Sequence, residues 1–160
     1  MAWIAALTSG LPTAMILTRQ NLPQYEGARE GIEKGAYVLS DCEGTPDVLL
    51  MASGSEVEQI MQAKEMLAAE GVKARAISVP CMEVFLKQDA AYQESVMPAA
   101  VRARVSMEAG VTMPWYRFVG LDGKALGIDR FGASAPAAIL FKEFGFTAEN
   151  VVAAAKEVIK

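Results

Sequence analysis

The stretch Asp47-Val-Leu-Leu-Met-Ala52 followed by Ser53-Gly-Ser-Glu-Val57 decides the fold class. Val48 to Ala52 is apolar at every position, the pattern of a strand buried on both faces rather than one with a wet side. Ser53-Gly54-Ser55 breaks it, and Val57, Ile60, Met61 and Leu67 then recur at helical spacing until Gly71 provides a C-terminal stop. Ser55 and Glu58 have the spacing of a capping box. Val72-Lys-Ala-Arg-Ala-Ile-Ser-Val79 alternates at first, like a strand, and closes at Pro80. Strand 47–52, helix 55–70 and strand 72–79 together predict a right-handed crossover unit with parallel strands.

Working outward from that unit, Ala36-Tyr-Val-Leu-Ser40 reads as a strand leading into the turn Asp41 to Pro46. Residues 82–88 and 90–97 read as short helices and Val101 to Met107 as a strand. Phe118 to Ile128 reads as two strand-like pieces around an Asp122-Gly123 turn. Ala137, Leu140, Phe141 and Phe144 share one helical face, with Gly145 as its stop, and Thr147 caps a last helix carrying Val151, Val152, Ala155, Val158 and Ile159. The expected architecture is α/β, a three-layer sandwich with a mostly parallel sheet flanked by helices, Rossmann-like but without a dinucleotide fingerprint.

The beginning of the chain has a different texture. Thr13-Ala-Met-Ile-Leu-Thr18 has strand character and ends at Arg19, because Pro23 cannot continue a ladder. Pro23 to Lys34 is polar and glycine-bearing and reads as a linker, which places a boundary near residue 23. Met1 to Leu7 has no basic lead-in and too short an apolar run for a signal peptide, and no apolar run is long enough to span a bilayer.

Composition narrows the chemistry. The 160 residues include no histidine, so no imidazole base, Ser-His-Asp triad, Cys-His pair or His-containing metal site can be built from them. Fifteen Lys and Arg against nineteen Asp and Glu give a formal charge of -4, the wrong sign for tracking a phosphate backbone, so nucleic acid is not an expected partner, and without a spanning run neither is a membrane. Cys42 and Cys81, far apart, read as free thiols in a reducing cytoplasm. The mean hydropathy of +0.23 is high for a free-standing domain and predicts apolar surface that another domain or subunit covers.

The candidate sites are sparse. Ser53-Gly54-Ser55-Glu56 lies at a strand-to-helix turn of the kind that cradles anions, yet it matches no phosphate-binding fingerprint and carries a repelling glutamate; a plain turn with a cap accounts for it better. Arg19 sits at the end of an apolar run, where a guanidinium fork could take a phosphate, and by its residues alone it reads as a solvated linker arginine. Asp41, Glu43, Asp47, Glu56, Glu108 and Asp129 show no spacing that pairs two of them for acid-base work. Glu108 reads as a buried hydrogen-bonding carboxylate or a cap rather than a catalyst, Trp115, Tyr116 and Phe118 as packing aromatics, and Phe131 to Pro136 as a loop entering a helix. Two functional classes stay open on this footing: part of a larger enzyme, or an independent small-molecule or nucleotide-binding module.

Several stretches taken together resemble the carboxyl-terminal part of transketolases: Leu17 to Leu22, Ala36 to Cys42, Ala52 to Val57, Glu70 to Arg75, Lys87 to Tyr92, Glu108 to Gly110, Phe131 to Pro136 and Glu143 to Thr147, in that family's order. The resemblance implies that residues 1–22 are the end of a pyrimidine-binding domain and the start of a linker, and residues 23–160 the C-terminal domain. It implies ketol transfer between sugar phosphates on thiamine diphosphate with a divalent metal (Mg or Ca), in a parent enzyme whose catalytic and cofactor-binding groups lie in other domains. None of those groups, and no metal ligand, maps onto this chain. One residue does map: Arg19, the arginine of the Arg-Gln-Asn motif, is implied to contact the sugar phosphate. Partners implied are the other domains, a dimer mate and the sugar phosphate, in the cytoplasm, with this chain structural and inactive alone.

Overall fold

A computed structural model describes residues 2–159. Five strands form one sheet: β1 (Tyr37–Ser40), β2 (Val48–Ala52), β3 (Ala74–Ser78), β4 (Arg104–Met107) and β5 (Lys124–Leu126), in the order β1-β3-β2-β4-β5. The pairs β2/β3, β2/β4 and β4/β5 are parallel, and only β1 runs antiparallel, against β3. Eight helices accompany them among the described residues: α1 (Ala2–Thr8), α2 (Ala28–Gly31), α3 (Val57–Ala69), α4 (Met82–Phe85), α5 (Ala90–Val96), α6 (Tyr116–Val119), α7 (Ala137–Glu143) and α8 (Ala148–Val158). The mostly parallel α/β reading holds.

The central position of β2 explains its composition. All five of its residues are buried, Val48, Leu50 and Ala52 against one face and Leu49 and Met51 against the other. On the first face they pack with Ile60, Ala63 and Leu67 of α3 and Val151, Val152 and Ala155 of α8. On the second they meet Phe85, Val96, Trp115 and Phe118, drawn from the short helices and turns. A strand with layers on both sides has no use for alternation, which is why its sequence is apolar throughout.

The crossover unit forms as expected, with one local difference. Its helix is preceded by a 3-10 turn, Gly54–Glu56, and Glu56 rather than Ser55 takes the cap position of α3, with no side-chain cap bond. The Ser55 hydroxyl instead donates to Glu56 Oε1 at 2.8 Å, so the capping box read from Ser55 and Glu58 does not form. The far end matches expectation: Gly71, at φ 81°, donates to Ala68 O and Val72 to Leu67 O, a Schellman-type closure. Thr147 caps α8 by accepting from Asn150 N at 3.4 Å.

Three other expectations change. Residues 13–18 form no strand: they carry no regular structure, and Ile16 is 96% exposed. Strand character needs a neighbouring ladder to become a strand, and none of the described strands runs beside them. The stretch Phe118 to Ile128 holds one strand rather than two, because the 3-10 turn Met113–Trp115 runs directly into α6 and buries Phe118 and Val119 from a helix. The linker read over Pro23 to Lys34 is not featureless either, since α2 and a second 3-10 turn, Ile32–Lys34, occupy its second half.

Candidate functional site

The carboxyl edge of the sheet is where the sequence-flagged residues meet. Ala52 of β2 pairs with Met107 of β4, so the residues that follow each strand emerge side by side. Ser53 Oγ donates to Glu108 Oε1 at 2.9 Å, and Trp115 Nε1 donates to Glu108 Oε2 at 2.5 Å. Both oxygens of Glu108 are thus engaged by neighbouring loops, which makes it the hydrogen-bonding carboxylate its position implied. Trp115 and Phe118 pack edge to face, 6.1 Å between ring centroids, and are buried, whereas Tyr116 is exposed.

Glu56 is the surprise. It is only 5% exposed and faces the same edge as Glu108. Burial is the main cause that pushes its carboxyl above the ordinary value of 4.5; the Ser55 hydroxyl and the backbone amides of Glu56 and Ala109 pull the other way, and the negative charge of Glu108 adds to the rise. The two glutamates, far apart in sequence, were read as unpaired; strand adjacency pairs them. Spacing along the chain could not show this, but each glutamate closely follows the end of a strand in a parallel sheet, and that was the available signal. Two carboxylates at this edge repel an anion, so the turn at Gly54 does not make a phosphate cradle.

Arg19 lies in an exposed bend, and among the described residues no hydrogen bond or ion pair holds its guanidinium. Its neighbour Gln20 is different. From Ile16 to Gln24, Gln20 is the one residue that is not exposed. Thr18 Oγ1 donates to Gln20 Oε1, and Gln20 N donates to Thr18 Oγ1 at 3.3 Å. Gln20 lines a cavity of about 310 Å³ together with Ser55, Glu56, Ala109, Phe141 and Phe146. The Phe131 to Pro136 loop borders this cavity through Gly132 and Ala133, while Phe131 itself points into solvent. Asp41, by contrast, belongs to the far side of the sheet, paired with Arg75.

The comparisons with known proteins fit this arrangement. The family model described as a transketolase-like C-terminal domain matches residues 35–147. The chain belongs to this transketolase family. It is 56% identical over 151 residues to transketolase 1 of Escherichia coli (strain K12), covering 92% of the chain and 23% of that protein. Transketolase 7 of Craterostigma plantagineum is 52% identical over 163 residues, covering 98% of the chain and 24% of that protein. The structure of transketolase from Leishmania mexicana superposes with a TM-score of 0.92 at 39% identity, over 99% of this chain and 23% of that one. The chain therefore spans about a quarter of the length of the transketolases it matches. The transketolase match covers the whole five-stranded sheet, β1 to β5.

Proposed function

We propose that this chain is the carboxyl-terminal part of a thiamine-diphosphate-dependent transketolase, which moves a ketol unit between sugar phosphates of the pentose phosphate pathway, and that its own role is structural. The observation that carries this reading is the family match together with the 23% share of its relative's length. Among the described residues no group of three His, Cys, Asp or Glu side chains is placed to hold a metal ion. These residues therefore do not fit the divalent metal, and no step through metal or cofactor is assigned to them.

Within the parent enzyme, Arg19 contacts the sugar phosphate, residues 1–22 close the pyrimidine-binding domain, and residues 23–160 dock as the third domain of a homodimer in the cytoplasm. The free, exposed guanidinium of Arg19 supports the first of these. Exposed Trp3, Ile4, Leu7, Leu11, Ile16 and Leu17 support the second, and exposed Val111, Met113, Leu121, Phe131 and Ile139 support the docking of the third domain. No helix among the described residues is long and apolar enough to cross a membrane.

The test is kinetic. In the full-length protein, Arg19→Ala is expected to lower kcat/KM for phosphorylated sugars by about 1.5–3 kcal/mol, as for a lost charge-assisted bond, and to spare unphosphorylated ones. Equal losses on both classes would refute the role of Arg19. Ketol transfer by the isolated chain, given thiamine diphosphate and metal, would refute the structural role.

A further inference from the structure

The connection between Arg19 and the C-terminal domain is shorter than its sequence suggests. Asn21, Leu22, Pro23 and Gln24 are all exposed, and Tyr25 is the first residue after them drawn out of solvent. It packs on the hydrophobic cluster that α3 and α8 build over β2. Glu58 and Glu65, two turns apart on one face of α3, both act on its hydroxyl: burial first and then these two charges raise the pKa above 10.0, which locates the ring against that face. The backbone beyond is held as well. Ala28 N donates to Tyr25 O at 3.3 Å across a turn that Gly27 closes at φ 80°, and α2 follows at once. The free stretch after Gln20 is therefore four residues long, and Pro23 within it stiffens itself and Leu22.

We propose that Tyr25 is a positioning residue for Arg19: by seating the connection on α3, it keeps the tether between the phosphate contact and the C-terminal domain to six residues. The C-terminal domain then takes part in substrate affinity without touching substrate. The proposal rests on the reading of Arg19 as the phosphate contact. An arginine that meets a phosphate from an exposed bend loses affinity to the ordering of its segment, and a short tether with a fixed end limits the conformations to be ordered. Without Tyr25 the next fixed point is Gly31, whose backbone abuts the Tyr37 ring so closely that no Cβ fits. The tether from Arg19 then doubles, from six residues to twelve. For a flexible tether the local concentration of its end falls with about the −3/2 power of length, so doubling lowers it about threefold.

The experiment uses the full-length protein carrying Tyr25→Ala, Tyr25→Phe, an insertion of about six Gly and Ser residues between Leu22 and Pro23, and Arg19→Ala as the reference. Hydrogen exchange read by mass spectrometry follows the seat of Tyr25, and steady-state kinetics with a phosphorylated sugar and its unphosphorylated counterpart follow the tether. Tyr25→Ala is expected to speed exchange across residues 25–31 while α3 and α8 keep their protection. It is also expected to raise KM for the phosphorylated sugar about threefold, with kcat and the unphosphorylated KM unchanged. The insertion is expected to give the same rise in KM with exchange across residues 25–31 unaltered, because it lengthens the tether and leaves Tyr25 seated. Tyr25→Phe keeps the packing ring and is expected to match the original protein in both measurements. Unchanged exchange in Tyr25→Ala, or an unchanged KM in either that variant or the insertion, overturns the proposal even if Arg19→Ala remains phosphate-selective. Loss of that selectivity in Arg19→Ala overturns instead the reading of Arg19 on which the proposal stands. The insertion falls among exposed residues, so it decides the matter should Tyr25→Ala fold poorly.

Discussion

Trp115 Nε1 donates to Glu108 Oε2 at 2.5 Å while the other oxygen of Glu108 receives Ser53, so one carboxylate ties the end of β2, the end of β4 and a 3-10 turn into a single corner. Glu108→Gln replaces one acceptor with a donor facing a donor. The variant is expected to lose about 1–3 kcal/mol of stability, partly offset by the relief of Glu56. Thermal unfolding measures the loss, and the fluorescence of Trp115 is expected to shift to the red as its indole loses its fixed partner. Unaltered stability and emission would show that this corner is not held by the carboxylate.

Glu56 gives the protein a pH response of defined sign. Burial first, and the charge of Glu108 in addition, raise its folded pKa above 4.5. The folded state then holds the proton more tightly than the unfolded chain, so stability falls as pH rises from 4.5 toward the folded value. Glu56→Gln is expected to remove that falling limb from a plot of melting temperature against pH. A Glu56→Gln profile parallel to the original through this window would contradict the assignment.

Asp41 responds with the opposite sign. Burial alone would raise its carboxyl, but the two-pronged contact with Arg75, at 2.8 and 2.9 Å, and the Cys42 amide outweigh it and hold the pKa below 3.8. Its contribution is present in full above the unfolded value and disappears as pH falls through the lower folded value. Asp41 is 48% exposed beside an Arg75 that is 12% exposed, so screening trims the pair. Asp41→Asn is expected to cost about 0.5–1 kcal/mol at pH 7, and the gap between the two proteins to close below pH 3.8. A gap independent of pH would count against the ion pair as its source.

Gly35 and Gly71 separate two costs. Both are left-handed, at φ 80° and 81°, but a Cβ on Gly35 would lie 2.4 Å from the Cys81 carbonyl oxygen, whereas one on Gly71 meets nothing. Gly35→Ala is expected to lose about 2–4 kcal/mol, backbone strain plus collision, and Gly71→Ala about 1 kcal/mol, strain alone. Chemical denaturation of both variants checks the difference, and equal losses would mean that the contact with Cys81 yields freely.

β2, α3, β3 and α8 were legible because each has a strong period and each buries what the period says it should. Residues 13–18 have the composition of a strand without forming one, because such composition reports what a segment is fit to pair with, not what is beside it. Ser55 departs from its capping-box spacing for a similar reason: its hydroxyl has a competing acceptor, Glu56, one residue away. The glutamates at the sheet edge were visible singly but not as neighbours, since their meeting depends on the strand order. Arg104 belongs to the same class: its guanidinium donates to the carbonyls of Val101, Pro98 and Phe118 at 2.8 to 2.9 Å, a role that the alternation of its strand conceals. The resemblance of Arg19 to a family motif carried information that its exposed bend does not express.

The sheet order has a consequence for synthesis. β1 is the first strand of this sheet to leave the ribosome, yet its only partner in the sheet is β3, which arrives after β2 and the whole of α3 have been made. Translation order and pairing order therefore differ. The first sheet contact open to the nascent chain is β2 with β3, and Tyr37 to Ser40 waits as an unpaired edge until Ser78 has emerged. The one antiparallel strand is thus a late addition built from early residues, and until it docks the edge of β3 that it covers stays unpaired.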